Sequence, residues 1–141
     1  MRVCRKFKFD AAHYLPGYNG KCRNLHGHTW FLEVEVEGSV NEASGFVVDF
    51  ADLKSTVTQL VIDKFDHTCL NESLKGLIDD TYGVVNPTCE CVLGWIWGRL
   101  CEYAGAFPKL SYRLVRLRLY ESSDSYAELT NYFGEGNERT K

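Results

Sequence analysis

Residues 30–37 read WFLEVEVE, a stretch in which apolar and acidic side chains alternate. Successive side chains of a β-strand point to opposite faces, so this alternation predicts a strand with one buried and one solvated face. Residues 3–12 (VCRKFKFDAA) alternate similarly, and so do residues 112–120 (YRLVRLRLY), where the phase changes between Leu114 and Leu117 and indicates a bulge. Residues 125–132 can pair as a final strand. We therefore expect a four-stranded antiparallel sheet.

Two helices are predicted between the early and the late strands. Residues 50–63 carry apolar side chains at positions 50, 53, 57, 60 and 61, a spacing that places them on one helical stripe. Beyond Pro87, Thr88 offers an N-cap for a second helix that ends near Gly105. Because strands and helices are segregated along the chain, the predicted fold class is α+β, with two helices packed on one face of the sheet.

Size and composition indicate an ordinary globular protein. The 141 residues suit a single domain spanning residues 1–141, with a frayed tail from about residue 133. A net charge of -3 gives no general attraction for nucleic acid or membranes, so neither is an expected partner. The sequence has no apolar run of membrane-spanning length, and its start (MRVCRKFKFD) lacks the apolar core of a signal peptide. We therefore expect a cytoplasmic protein.

Three of the four histidines lie in a pattern that suits a metal ion. His26 and His28 flank Gly27 on a predicted strand, where residues two apart point the same way, and His13 ends the preceding strand. Three neutral imidazoles suit zinc and leave a fourth coordination position open for water or substrate, as in catalytic sites. Two alternatives stay open: a structural zinc site with Cys22 as the fourth ligand, and histidines that bind no metal.

The six cysteines are expected to be thiols, because a reducing compartment disfavours disulfides. We expect Cys91 and Cys101 to be small buried residues of the second helix. Cys22 differs, since Lys21 and Arg23 flank it and their positive charge favours the thiolate, which is a nucleophile or base.

Several carboxylates complete the set of candidate site residues. Asp66 and His67 are adjacent, and such a pair can set a tautomer and tune a proton transfer if it reaches the same pocket. Glu121 ends a predicted strand, where its two oxygens can accept paired hydrogen bonds from a ring such as guanine or pterin. For Glu90, in the first turn of the second helix, the helix dipole is a sufficient explanation.

Separate motifs in one order carry a family resemblance over about residues 5–122. They are FDAAH at 9–13, Cys22 ahead of HGH at 26–28, Asp66-His67 with Leu70-Asn71, PTCE at 87–90, and Glu121. Together they resemble the 6-pyruvoyltetrahydropterin synthase family. The short spacing from Cys22 to His26, VDF at 48–50 and WIW at 95–97 look like its 6-carboxytetrahydropterin synthase branch, which serves queuosine and deazapurine biosynthesis.

The resemblance implies a fold, an assembly and a reaction. The fold is the tunnelling fold (T-fold), in which subunits join their sheets into β-barrels, usually as a homohexamer of two trimers with active sites at subunit interfaces. The implied substrate is 7,8-dihydroneopterin triphosphate, which is converted to 6-carboxy-5,6,7,8-tetrahydropterin, acetaldehyde and triphosphate. The alternatives are a 6-pyruvoyltetrahydropterin synthase of a biopterin-type pathway and a zinc-binding or pterin-binding module without turnover.

The resemblance also implies a role for each matching residue. His13, His26 and His28 match the Zn²⁺ ligands. Cys22 matches the proton-abstracting thiolate, Asp66 and His67 match its catalytic partners, and Glu121 matches the pterin anchor. Thr88 and Glu90 match a helix-start motif near the pterin. The chain departs from the family at Cys89, which replaces a small residue, in a longer loop over residues 72–85, and in an extended tail.

Overall fold

A mixed five-stranded sheet organises the protein in the computed structural model, which describes residues 1–77, 86–106 and 111–131. The strands are β1 (Arg2–His13), β2 (His26–Gly38), β3 (Thr68–Cys69), β4 (Tyr112–Tyr120) and β5 (Tyr126–Thr130). Their order across the sheet is β3-β1-β2-β4-β5, and every neighbouring pair is antiparallel except β3 with β1. The predicted α+β class is confirmed.

Both predicted helices are present, the first extending to residue 65, and a short helix that was not predicted lies between them. The first helical segment comprises α1 (Phe50–Val57), a π-helical turn (Thr58–Ile62) and α2 (Asp63–Phe65), and it begins where the Asp49 carboxylate accepts from the amide of Ala51 at 2.7 Å. The short helix α3 (Leu70–Ser73) follows β3, and α4 (Cys89–Ala106) follows the predicted cap, Thr88. In the parts of the chain described, we find no helix both long and apolar enough to cross a membrane.

The hydrophobic core lies between one face of the sheet and the helices. Phe9 on β1 stacks on Trp30 on β2 and also contacts Phe65 at the end of the first helical segment. The buried residues of the first helical segment repeat every fourth position, because that spacing keeps side chains on one face of a helix. They are Leu53, Val57, Val61 and Phe65. The side chains of Trp30 and Phe65 are fully buried. The first helical segment therefore packs on the sheet close to the end that carries the histidines.

Ion pairs run across the opposite face of the sheet, where residues 33, 35 and 37 of β2 point away from the helices. Glu33 is buried under its cationic neighbours, with Lys6 Nζ at 2.9 Å. Arg116 on β4 pairs with Glu35 at 2.7 Å. Opposite charges on neighbouring strands stabilise their pairing, so the acidic face of WFLEVEVE is matched to basic residues of β1 and β4.

The predicted number and direction of the strands are wrong, whereas the predicted bulge in β4 is confirmed. The sheet has five strands rather than four, and it is mixed rather than antiparallel, because Thr68 and Cys69 add a short strand parallel to β1. Two residues are too few to show an alternating pattern. The predicted bulge in β4 is present, since the register with β2 shifts between Glu35 and Val36.

The predictions for the cysteines can be compared with the structure, whereas those for the long loop and the tail fall mostly outside the described residues. All six cysteines are free thiols, as expected. Cys91 and Cys101 are exposed on α4, so the prediction that they are buried is wrong. Most of the predicted long loop, from residue 78 to 85, lies outside the described residues. The predicted frayed tail from about residue 133 also lies outside them.

Candidate functional site

Three histidines meet at the end of the sheet where β1 finishes and β2 starts. His13 and His26 are direct partners in the antiparallel register, and His28 lies opposite Ala11. Because β-strand side chains repeat every second residue, all three imidazoles lie on the helix side of the sheet, next to Trp30. One ring nitrogen from each lies within 4.8 Å of the other two. The structure therefore brings together the three residues that the sequence singled out.

Backbone carbonyls determine which nitrogen of two of these rings faces inward. His13 Nδ1 lies 2.8 Å from the carbonyl oxygen of Pro87, and His26 Nδ1 lies 2.8 Å from that of Asn24. A carbonyl only accepts, so each Nδ1 carries the proton and each Nε2 keeps its lone pair. The Nε2 atoms of His13 and His28 are buried and make no hydrogen bond within the described residues. Ring nitrogens whose lone pairs converge suit a metal ion, especially where a backbone carbonyl holds the other nitrogen of the ring.

The electrostatics of the site also favour a neutral His28. Burial holds the pKa of His28 below its usual range, and the neighbouring His13 and His26 act in the same direction, while Glu121 opposes them. Glu121, just past the end of β4, has one carboxylate oxygen 3.5 Å from His13 Nε2 and a side chain that is 32% exposed. The site thus joins three histidines that could hold a metal ion to a partly exposed carboxylate.

Cys22 lies in the connection between β1 and β2, in a single 3₁₀ turn (Lys21–Arg23). The turn is tied back to the end of β1, because the Leu15 amide donates to the Cys22 carbonyl at 2.8 Å. The thiol is half-buried. In the portion of the chain that is described, no cysteine joins the histidine trio, which counts against the alternative of Cys22 as a fourth ligand.

Asp66 and His67 form a second cluster with Asp10, at the start of β3. Asp66 Oδ1 accepts from the amide of Asp10 at 2.9 Å, and Asp66 Oδ2 lies 3.0 Å from His67 Nδ1. The Asp10 amide and then His67 hold the pKa of the Asp66 carboxyl below its usual range. His67 has a φ of 60°, in the left-handed region that few residues other than glycine adopt. Its imidazole is 78% exposed, so it is available to a ligand.

The start of α4 lies beside Glu121. Thr88 Oγ1 accepts from the amide of Cys91 at 3.3 Å, which is the capping role the sequence indicates. The Cys89 thiol donates to the carbonyl of Leu119 at 3.1 Å and so joins the helix to β4. Burial, reinforced by the carboxylates of Glu121 and Glu90, raises the pKa of Cys89 to about 11. Glu90 itself is exposed in the first turn of α4.

The sequence reasoning missed the structural part that Asn71 plays in this site. Its side chain is buried, and it makes two hydrogen bonds to the backbone of Tyr14, the residue after His13. An asparagine after a short polar segment is common in turns, so its position alone carries no such signal. The pairing of Asn71 with Tyr14 became visible only in the folded chain.

Relatives of this chain share a family and a fold. Among them, a 6-carboxy-5,6,7,8-tetrahydropterin synthase from Haemophilus influenzae is 34% identical over 142 residues, covering 90% of this chain and 96% of the relative. A protein of the same name from Synechocystis is 38% identical over 104 residues, covering 71% of this chain and 74% of the relative.

Solved structures agree on the fold. The structure of Caenorhabditis elegans 6-pyruvoyl tetrahydropterin synthase matches with a TM-score of 0.74, covering 93% of this chain and 95% of that one. Its sequence identity is 24%, so this likeness concerns the fold alone. The sequence profile of one family, described as 6-pyruvoyl tetrahydropterin synthase, matches residues 2–131. The chain therefore belongs to the 6-pyruvoyl tetrahydropterin synthase family.

Proposed function

We propose that this protein is a zinc-dependent 6-carboxy-5,6,7,8-tetrahydropterin synthase of queuosine and deazapurine biosynthesis. It converts 7,8-dihydroneopterin triphosphate to 6-carboxytetrahydropterin, acetaldehyde and triphosphate. The observation that carries the proposal is the convergence of His13, His26 and His28, with the Nε2 atoms of His13 and His28 buried and without a hydrogen bond in the described residues. Relatives 34% and 38% identical bear the name of this activity.

The three histidines would hold the zinc ion. Zinc, when bound, supplies a Lewis acid that polarises substrate oxygens. The surrounding protein orients the imidazoles and disfavours a charge on His28. The carbonyls of Pro87 and Asn24 orient His13 and His26, and burial disfavours the charged form of His28.

Glu121 is the proposed anchor of the pterin ring. Its partly exposed carboxylate has two oxygens, which can accept from two adjacent N–H groups of a planar ring. A ring held by Glu121 would lie beside the histidines, and the approach of Glu121 to His13 supports this part of the proposal. Thr88 and Glu90 begin the helix that borders this position, and we propose that they line the pterin pocket.

Cys22, Asp66 and His67 are the proposed proton-transfer groups. The Asp66 carboxylate accepts a hydrogen bond from Nδ1–H of His67, which leaves Nε2 of the exposed His67 ring to take or give a proton. Cys22, in its turn beside the end of β1, is the proposed thiolate base. A binding module without turnover would not need the thiol of Cys22 or the Asp66–His67 pair for proton transfer.

The proposal includes assembly into a homohexamer of two trimers that join their sheets into barrels. The outer edge of β5 supports it, because within the described part of the chain β5 pairs only with β4 and offers free backbone groups. Light scattering on the purified protein should give about six times the chain mass of 16.1 kDa. A monomer mass would contradict the assembly.

Incubation of zinc-loaded protein with 7,8-dihydroneopterin triphosphate tests the reaction. Acetaldehyde together with a carboxytetrahydropterin, identified by mass spectrometry, would support the proposal. A pyruvoyl product without acetaldehyde would replace it with triphosphate elimination, and no turnover would leave only binding.

Two variants separate metal binding from chemistry in this experiment. Cys22→Ala should abolish turnover and retain zinc. His28→Ala should lose zinc as well as turnover. Equal zinc content in the two variants would contradict the proposed division of roles.

A further inference from the structure

Asn71 is one of three buried polar or charged residues in the described part of the chain, together with His13 and Glu33. It is 7% exposed. Its Oδ1 accepts from the amide of Tyr14 at 3.0 Å, and its Nδ2 donates to the carbonyl of Tyr14 at 2.9 Å. The direction of the side-chain amide is therefore unambiguous, since only Oδ1 accepts and only Nδ2 donates. Both ends of this side chain are used to hold the backbone of one residue.

The contact extends the pairing of β1 with β3. These strands pair in parallel at Ala11 with Thr68 and at Ala12 with Cys69. The ladder stops there because α3 begins at the next residue. A primary amide offers the same donor and acceptor as a peptide group, so the Asn71 side chain continues the ladder where the backbone has turned into a helix.

Three parts of the proposed site meet at this contact. Tyr14 directly follows His13, and the next residue, Leu15, donates to the carbonyl of Cys22 at 2.8 Å. On the other side, the segment Thr68–Cys69 joins Asn71's helix to Asp66 and His67. The Asn71 amide thus adds a link, beyond the β1–β3 pairing, between the end of β1 and the segment that carries Asp66 and His67. The end of β1 carries His13 and, through Leu15, holds the Cys22 turn.

We propose that Asn71 is a positioning residue that sets where His13 and the Cys22 turn lie relative to Asp66 and His67. This inference rests on the proposed function of the same site. A residue with a structural role alone would change the stability of the protein and leave the properties of the folded site unchanged. A positioning residue changes the metal affinity and the turnover of the folded protein.

Asn71→Asp is the variant that tests this, because it keeps the shape and an acceptor while it removes the donor to Tyr14. We expect its zinc affinity, measured by competition with a chromophoric chelator, to fall about 10- to 100-fold, as for other groups that orient metal ligands. Its kcat should fall more than its KM changes. Wild-type zinc affinity and kcat in the folded variant would overturn the proposal.

Ser73→Ala is the matched control. Ser73 lies on the same short helix and donates to Thr68 Oγ1 at 2.8 Å, but its hydrogen bond does not reach Tyr14. Its loss should leave zinc affinity and kcat within about twofold of wild type, because the Ser73 hydrogen bond does not hold the strand end that carries His13. Equal losses of zinc affinity in the two variants would also overturn the proposal.

Hydrogen exchange on the wild-type protein gives a readout that does not depend on a variant folding. The Tyr14 amide should exchange slowly, because it donates to a buried oxygen. Exchange at the rate of an exposed loop would overturn the proposal. If the wild type binds zinc without turning over the pterin, the proposed function fails while the zinc comparison still decides the role of Asn71. If the wild type binds no zinc, both fail.

Discussion

The two cysteines at the start of α4 differ in environment although they are two residues apart. Cys89 is half-buried, donates to Leu119 and has a pKa raised to about 11, whereas Cys91 is exposed. Only the thiolate attacks an alkylating reagent, so the raised pKa and the partial burial of Cys89 both slow its modification. We therefore expect iodoacetamide at pH 8 to modify Cys91 at least about tenfold faster, as measured by fragmentation of the peptide that contains both.

The same reaction in urea is the control for this prediction. Unfolding exposes both thiols, so the two rates should converge. Equal rates in the folded protein would mean that burial and the nearby carboxylates do not protect Cys89.

Asp66 makes stability depend on pH. Its pKa is lowered in the folded state, chiefly by the amide of Asp10 and then by His67, so the charged carboxylate stabilises the fold. That contribution is fully present above the unfolded carboxyl pKa of about 3.9 and is lost as the pH falls through the lower folded value. We expect the urea midpoint of Asp66→Asn to lie below that of wild type at pH 6 and to approach it at pH 3.

Asp63→Asn provides the comparison for this pH series, because Asp63 is an exposed carboxylate three residues earlier in the chain. Its difference from wild type should be small at both pH values. A gap between Asp66→Asn and wild type that persists unchanged at pH 3 would contradict the assigned charge effect.

At the scale of the elements, the backbone at the end of β2 lies very close to the backbone at the start of β4. A Cβ on Gly38 would lie 2.6 Å from the carbonyl oxygen of Ser111, which belongs to the backbone and cannot rotate away. We expect Gly38→Ala to lower the free energy of unfolding by about 1–3 kcal/mol, as overpacking does elsewhere. Urea denaturation measures this change.

Gly94→Ala is the opposite case within α4. A Cβ there meets no atom within 4 Å, and alanine favours a helix over glycine by about 1 kcal/mol. This variant should be stabilised by up to that amount. We expect the urea midpoint to fall for Gly38→Ala and to rise for Gly94→Ala. A shift in the same direction for both would contradict the explanation by the close approach of β2 and β4.

For the whole molecule, the histidine trio should couple metal binding to global stability. It joins β1 to β2, and His13 is also bonded to Pro87 just before α4. A ligand that binds only the native state at 100 times its Kd contributes about 2.7 kcal/mol. We expect zinc to raise Tm by roughly 10 °C and EDTA to reverse the rise. An equal rise in His28→Ala would show that zinc stabilises the protein elsewhere.

Much of the architecture could be predicted from local patterns. The alternation in WFLEVEVE predicted β2, helical spacing predicted the first helical segment, and Thr88 marked the start of α4. The strand period also explains why His26 and His28 share a face. Two short elements were not predicted, β3 and α3, because two and four residues show no clear period. The exposure of Cys91 and Cys101 was also not predicted, because it depends on how α4 is rotated against the sheet.

The sequence by itself determined the α+β class, the main strands and helices, and the histidines that share one face, because each of these follows from side-chain spacing along one element. Tertiary structure alone decided the rest. It placed Glu121 beside His13, set the imidazole tautomers through Pro87 and Asn24, and paired Asn71 with Tyr14. These contacts join residues from separate segments or depend on how the backbone turns, so no local period encodes them.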